Sequence, residues 1–97
     1  MVKHVIIWNL KEEFNTEEIK KNMKTNLEGL KGKVPGLVDI NIIIDKLPSS
    51  TGDVMLDSVL ESEEALKGYA VHPDHVKVAD TYVRPYTATR ACIDYEV

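Results

Sequence analysis

Apolar residues recur at every second position in four short runs of this chain and at helical spacing in two longer stretches, and the order of those periods leaves few folds open. His4 to Leu10 is rich in β-branched residues and stops at Lys11-Glu12-Glu13, so it reads as a strand. Both of its faces are mainly apolar, with His4, Ile6, Trp8 and Leu10 on one and Val5 and Ile7 on the other. That pattern places it centrally in a sheet. Asn15 is expected to cap a helix, with Glu18 three residues later completing a capping box. Ile19, Met23, Leu27 and Leu30 then follow at helical spacing, and Gly29, Gly32 and Val34-Pro35-Gly36 end the element.

A second strand is predicted from Leu37 to Ile44, with Val38, Ile40, Ile42 and Ile44 on one face and Asp39 and Asn41 opposite. The stretch Asp45 to Gly52 carries Pro48, Ser49, Ser50 and Gly52 and reads as a loop. A third strand spans Val54 to Leu60. Ser62 starts a second helix with Glu63 and Glu64 in its first turn, where the helix dipole favours acids. Pro73 interrupts it after His72, and a further helical piece runs from Pro73 to about Tyr82, closed by Arg84-Pro85. The last strand, Ala88 to Tyr95, sets Ala91, Ile93, Tyr95 and Val97 on one face and Arg90, Cys92, Asp94 and Glu96 on the other. The order β-α-β-β-α-β implies an α+β, ferredoxin-like sandwich, and 97 residues suffice for one such domain over residues 1–97.

Two helices cover only one face of a four-stranded sheet. The open face then carries Val5 and Ile7, which favours burial against a second copy at roughly 25 cal/mol per Å². Asp39, Asn41 and Asp57 dilute that face, so the pattern alone leaves both a homodimer and a monomer with a half-polar outer face open.

Composition removes several classes of function. The chain is 43% apolar and 29% charged with a formal charge of −4, and no run of Lys or Arg could track phosphates, so no nucleic-acid partner is expected. Cys92 is the only cysteine, which rules out an intrachain disulfide and suits a reducing compartment. The apolar run after Met1-Val2-Lys3-His4 is too short for a membrane span, so no membrane partner is expected and the chain reads as cytoplasmic.

Chemistry-bearing residues concentrate in Tyr69-Ala70-Val71-His72-Pro73-Asp74-His75, at the proline break, and His4 shares a strand face with Ile6 and Trp8. An imidazole takes a proton near neutral pH and a phenol donates to a carbonyl or enolate oxygen, a pairing suited to proton abstraction without a cofactor. Residue types alone favour the plainer reading over catalysis, with histidines that only cap helices and a tyrosine that only fills the core. His72, Asp74 and His75 are spaced as metal ligands, but Pro73 disturbs the helical geometry and only His4 offers a further ligand, so no metal site is expected. No GxGxxG, P-loop or GxSxG motif is present.

The opening Val2-Lys3-His4-Val5-Ile6, the helix end Leu30-Lys31-Gly32-Lys33-Val34-Pro35-Gly36, the motif Tyr69-x-x-His72-Pro73-x-His75 and the terminal Ile93-Asp94-Tyr95-Glu96 together resemble the stress-responsive dimeric A/B-barrel (Dabb) family over essentially the whole chain. The resemblance implies a homodimer in which two sheets close face to face into an α+β barrel. Some members are stress-induced or defence proteins, and one is a cofactor-free plant polyketide cyclase whose catalytic histidine, tyrosine and strand histidine match His75, Tyr69 and His4. Trp8 replaces a small aliphatic residue of that enzyme, and Met23 and Asn26 replace aromatic cavity walls, which argues against a long-tailed polyketide. The resemblance therefore implies a small apolar pocket lined by Ile6, Trp8, Met23, Leu27 and His72, with His75 as base, Tyr69 polarising an oxygen and His4 orienting the ligand. A small carbonyl or phenolic ligand and no cofactor are expected. The competing expectation is a non-enzymatic stress or interaction protein with structural histidines.

Overall fold

The computed structural model describes all 97 residues. Strand β1 (Val2–Leu10) leads through a short 3-10 turn to helix α1 (Glu17–Glu28). Then come β2 (Leu37–Ile43), β3 (Val54–Leu60), α2 (Glu63–Val71), α3 (Pro73–Val78) and β4 (Thr87–Glu96). The strands form one antiparallel sheet in the order β2-β3-β1-β4, so β1 is central as its two apolar faces predict. The fold is the α+β, ferredoxin-like βαββαβ arrangement, with its second helix in two pieces.

Three local readings need correction. Thr16, not Asn15, caps α1, its Oγ1 accepting from the Ile19 amide at 3.3 Å. The 3-10 turn Glu12–Phe14 takes up chain ahead of the helix and moves its start on by one, so Glu18 no longer falls where a capping box needs it. Val38 points outward rather than with Ile40. Leu37 pairs with Leu60 and Asp39 with Val59, which leaves Val38 as the extra residue of a bulge, and Leu37 takes the buried position instead. The helical piece from Pro73 stays α-helical only to Val78 and then widens into a π turn over Ala79–Val83 and a 3-10 turn over Arg84–Tyr86.

The core lies between the helices and one face of the sheet. Ile6 and Trp8 from β1, Ile40 and Ile42 from β2, and Leu56 and Leu60 from β3 meet Met23 and Leu27 of α1 and Tyr69 of α2. Each such side chain contributes about 1.5–3 kcal/mol on burial. The β2 edge is closed by α1: the Ile42 amide donates to Glu28 at 2.9 Å, while Lys24 donates to the Ile42 carbonyl and to Glu28, both at 2.8 Å. Backbone groups that an edge strand would expose are thereby satisfied. Asp53 ties the loop before β3 to β1 by accepting from the Leu10 amide at 2.9 Å and from Lys46 at 2.7 Å. No helix is long and apolar enough to cross a membrane.

The opposite face of the sheet has no cover within the chain. Ile7, Ile43, Ile93 and Tyr95 are exposed there, interrupted by the Lys3–Asp57 ion pair at 2.7 Å.

Gly36 turns the chain into β2 with φ of +82°, and a Cβ placed there would lie 2.6 Å from the Cβ of Ala65 in α2. Gly36→Ala combines a left-handed backbone with overpacking and is expected to cost about 2–4 kcal/mol in denaturant unfolding. Adding Ala65→Gly should relieve the overpacking but not the backbone strain. Full recovery in the double variant would show that crowding alone reserves the position for glycine.

Candidate functional site

The β1–β4 pairing sets His4 opposite Asp94, so both point to the helix side of the sheet. The His4 Nδ1 lies 2.5 Å from Asp94 Oδ1. An ionised carboxylate only accepts, so Nδ1–H donates to it and fixes the orientation of the ring. The pair joins a buried imidazole to a carboxylate that is part-exposed on the sheet edge.

Tyr69 comes from the last turns of α2 and is 2% exposed. Its ring stands edge-on to His4 at a centroid distance of 6.0 Å. The hydroxyl has no hydrogen-bond partner. Burial pushes its pKa up to about 12, so the group is a neutral phenol with an unused proton donor. An unpaired buried hydroxyl costs about 1–3 kcal/mol.

His75 enters from α3. On an uninterrupted helix, residues six apart would be turned by roughly 240° and could not meet. The break at His72-Pro73 removes that restriction. His72 takes an extended backbone, as a residue before proline must, and its Nδ1 accepts from the Asp74 amide at 3.1 Å to cap α3. The chain folds back, and the rings of Tyr69 and His75 pack at 4.2 Å. The His75 Nδ1 donates to the Ala70 carbonyl at 3.2 Å, which leaves Nε2 without a proton. Burial lowers the His75 pKa, the Ala70 bond opposes this, and the positive charges of Arg84 and Arg90 lower it further. The fold thus favours the neutral form of the His75 ring.

His4, Tyr69 and His75 surround a cavity of about 210 Å³ whose walls include Ile6 and Trp8. It adjoins an open groove of about 710 Å³ between α2 and the polar row of β4, the two sharing His4, Leu66, Ala70 and Arg90. The remaining expected wall residues lie elsewhere. Met23 and Leu27 are sealed in the core between α1 and the sheet, where dense packing leaves no space beside them. His72 is turned away by its capping bond and borders a different surface hollow.

Asp94, Arg90 and Cys92 were not singled out by the residue pattern, which showed them only as a polar row on the last strand. Their signal is the register: antiparallel pairing of the first and last strands sets His4 against Asp94, Ile6 against Cys92 and Trp8 against Arg90. The residues grouped closely enough to hold a metal are also not the His72, Asp74 and His75 set considered from spacing. Ligand atoms of His4, Cys92 and Asp94 lie within 4.8 Å of one another. There Nδ1 and the carboxylate bond to each other, and burial together with the Asp94 charge pushes the Cys92 thiol up, away from the thiolate a metal requires.

Known proteins share this architecture. A dimeric protein of unknown function with a ferredoxin-like fold from Bacteroides fragilis is 28% identical, with a TM-score of 0.89 over 99% of this chain and 95% of that one. The Arabidopsis thaliana protein At3g17210 is 22% identical, with a TM-score of 0.85 over 100% and 95%. A hydroxynitrile lyase from Passiflora edulis is 13% identical, with a TM-score of 0.81 over 97% and 90%, which shows a common fold alone. Among curated proteins none matches in sequence. The pattern of the stress responsive A/B barrel domain matches residues 2–97, and the chain belongs to that family.

Proposed function

We propose that the cavity under α2 and α3 binds a small carbonyl or phenolic compound and that His75 and Tyr69 act on it by proton transfer without a cofactor. The observation that carries this reading is the Tyr69 hydroxyl, buried beside a cavity with no partner of its own. A ligand oxygen would satisfy it. His75 Nε2 would take a proton from the carbon next to the ligand carbonyl, and the Tyr69 hydroxyl would donate to the oxygen where negative charge develops. His4, held in one tautomer by Asp94, would orient the ligand. The cavity size favours a compact molecule, with Trp8 occupying space that a longer chain would need.

We further propose that two copies pair through the open sheet face, as a homodimer in a reducing compartment such as the cytoplasm. Support comes from the exposed Ile7, Ile43, Ile93 and Tyr95 and from related structures described as dimeric. The cavity lies on the other face of the sheet, so pairing and ligand binding would use separate surfaces.

Tyr69→Phe is expected to leave stability unchanged or raise it by about 1 kcal/mol, because it removes a hydroxyl that nothing pairs. It should at the same time weaken binding of small carbonyl and phenolic compounds in a thermal-shift screen. His75→Ala should lower turnover by about 10²–10⁴ with the fold retained. Destabilisation by both variants with unchanged binding would instead identify the residues as structural.

The His75 titration has a definite sign. A folded-state pKa lowered below the ordinary 6.5 means that the fold favours the neutral ring. The resulting stability is complete above pH 6.5 and is lost as pH falls through the lowered value. An NMR titration of the imidazole should place its midpoint below 6.5. A midpoint above 6.5 would remove the neutral base.

Ile7→Asp places a carboxylate on the proposed pairing face at a cost of about 3–5 kcal/mol per copy if buried unpaired. Light scattering should report twice the chain mass for the native protein and a single chain mass for the variant. A native monomer at high concentration would overturn the pairing.

A further inference from the structure

We propose that the natural ligand of this cavity is an anion, a small carboxylate with an aromatic or short apolar body, recognised by Arg90. The inference rests on reading the cavity as a ligand site and adds the chemical class of its occupant.

Charge inside the cavity runs opposite to charge on the whole chain. The protein carries a formal −4, yet the cavity walls hold two arginines, Arg84 and Arg90, and no carboxylate. The acids nearby, Glu63, Asp94 and Glu96, border the adjoining groove instead. Asp94 is already engaged by His4. The two arginines differ. Arg84 is paired with Asp80 one helical turn before it. Arg90 belongs to none of the chain's ion pairs.

Arg90 is also where an incoming charge would be met. It sits opposite Trp8 in the β1–β4 register and borders both the cavity and the groove, so it stands where the two join. A guanidinium with no carboxylate partner in the chain offers a planar fork that matches a ligand carboxylate with two parallel hydrogen bonds. The apolar body of the ligand would then lie against Ile6 and Trp8, with its carbonyl or phenolic oxygen at the Tyr69 hydroxyl. Size agrees with this division. A cavity of about 150 Å³ accepts benzene, so one of about 210 Å³ accepts a single ring with its substituents.

The test is isothermal titration of the intact protein with benzoate, salicylate, phenylacetate and cinnamate, each beside its neutral amide. The acids should bind about ten- to a hundredfold more tightly than the amides, the range expected for hydrogen bonds to a charged group. Arg90→Gln should remove that preference by weakening the acids far more than the amides, and Arg90→Lys should restore only part of it. Added salt should weaken the acids more than the amides. Equal binding of acids and amides, both weakened in Tyr69→Phe, would overturn the anion and leave the ligand site standing. A preference for acids that survives Arg90→Gln would overturn the role of Arg90. No binding of either series would overturn the anion together with the site.

Discussion

β1 is hydrogen-bonded along its length to β3 on one side and β4 on the other, and the crossover through α2 and α3 returns the chain to it. The antiparallel ladders set which residues can share a face. Because side chains alternate along a strand, a slip by one residue in the β1–β4 register would send Asp94 to the opposite face and break its bond to His4. It would also turn Arg90 away from Trp8 and separate the walls of the cavity. The site is thus a consequence of pairing between the two ends of the chain, 90 residues apart in the case of His4 and Asp94.

The two faces of the sheet differ because the helices reach only one of them. On the covered face, Met23, Leu27, Leu56 and Leu60 are packed without space between them, and the sheet is held there by ordinary apolar burial. Toward β4 the cover thins. The polar row of that strand borders the groove, and the cavity opens where α2 gives way to α3. On the other face, apolar side chains stay in water around the Lys3–Asp57 ion pair, a distribution that pairing with a second copy would relieve.

Within the cavity, the polar groups are left short of partners rather than fully satisfied. The Tyr69 hydroxyl is unpaired, His75 keeps one ring nitrogen free, and Arg90 has no carboxylate. The contrast with His72, whose ring is consumed in capping α3, is informative. A buried hydroxyl left unpaired beside a cavity, as in Tyr69, is expected where a ligand is to complete it.

The amino-acid pattern alone determined the element types and their order, the central place of β1 and the proline break between the helices, because these follow from periodicity and from the chemistry of single residues. It also showed which residues could carry chemistry, Tyr69, His75 and His4 among them, and the family resemblance grouped them. It did not show that Val38 is thrown out by a bulge, since a bulge depends on how two strands pair and not on either strand alone. Nor did it separate Met23 and Leu27, which fill the core, from Ile6 and Trp8, which border the cavity, because all four are apolar residues on inward faces. Asp94, Cys92 and Arg90 were only one face of the last strand until the β1–β4 register placed them beside His4, Ile6 and Trp8. Only the tertiary structure could decide these points, because each depends on contacts between segments far apart in the chain, and local period carries no information about distance across a fold.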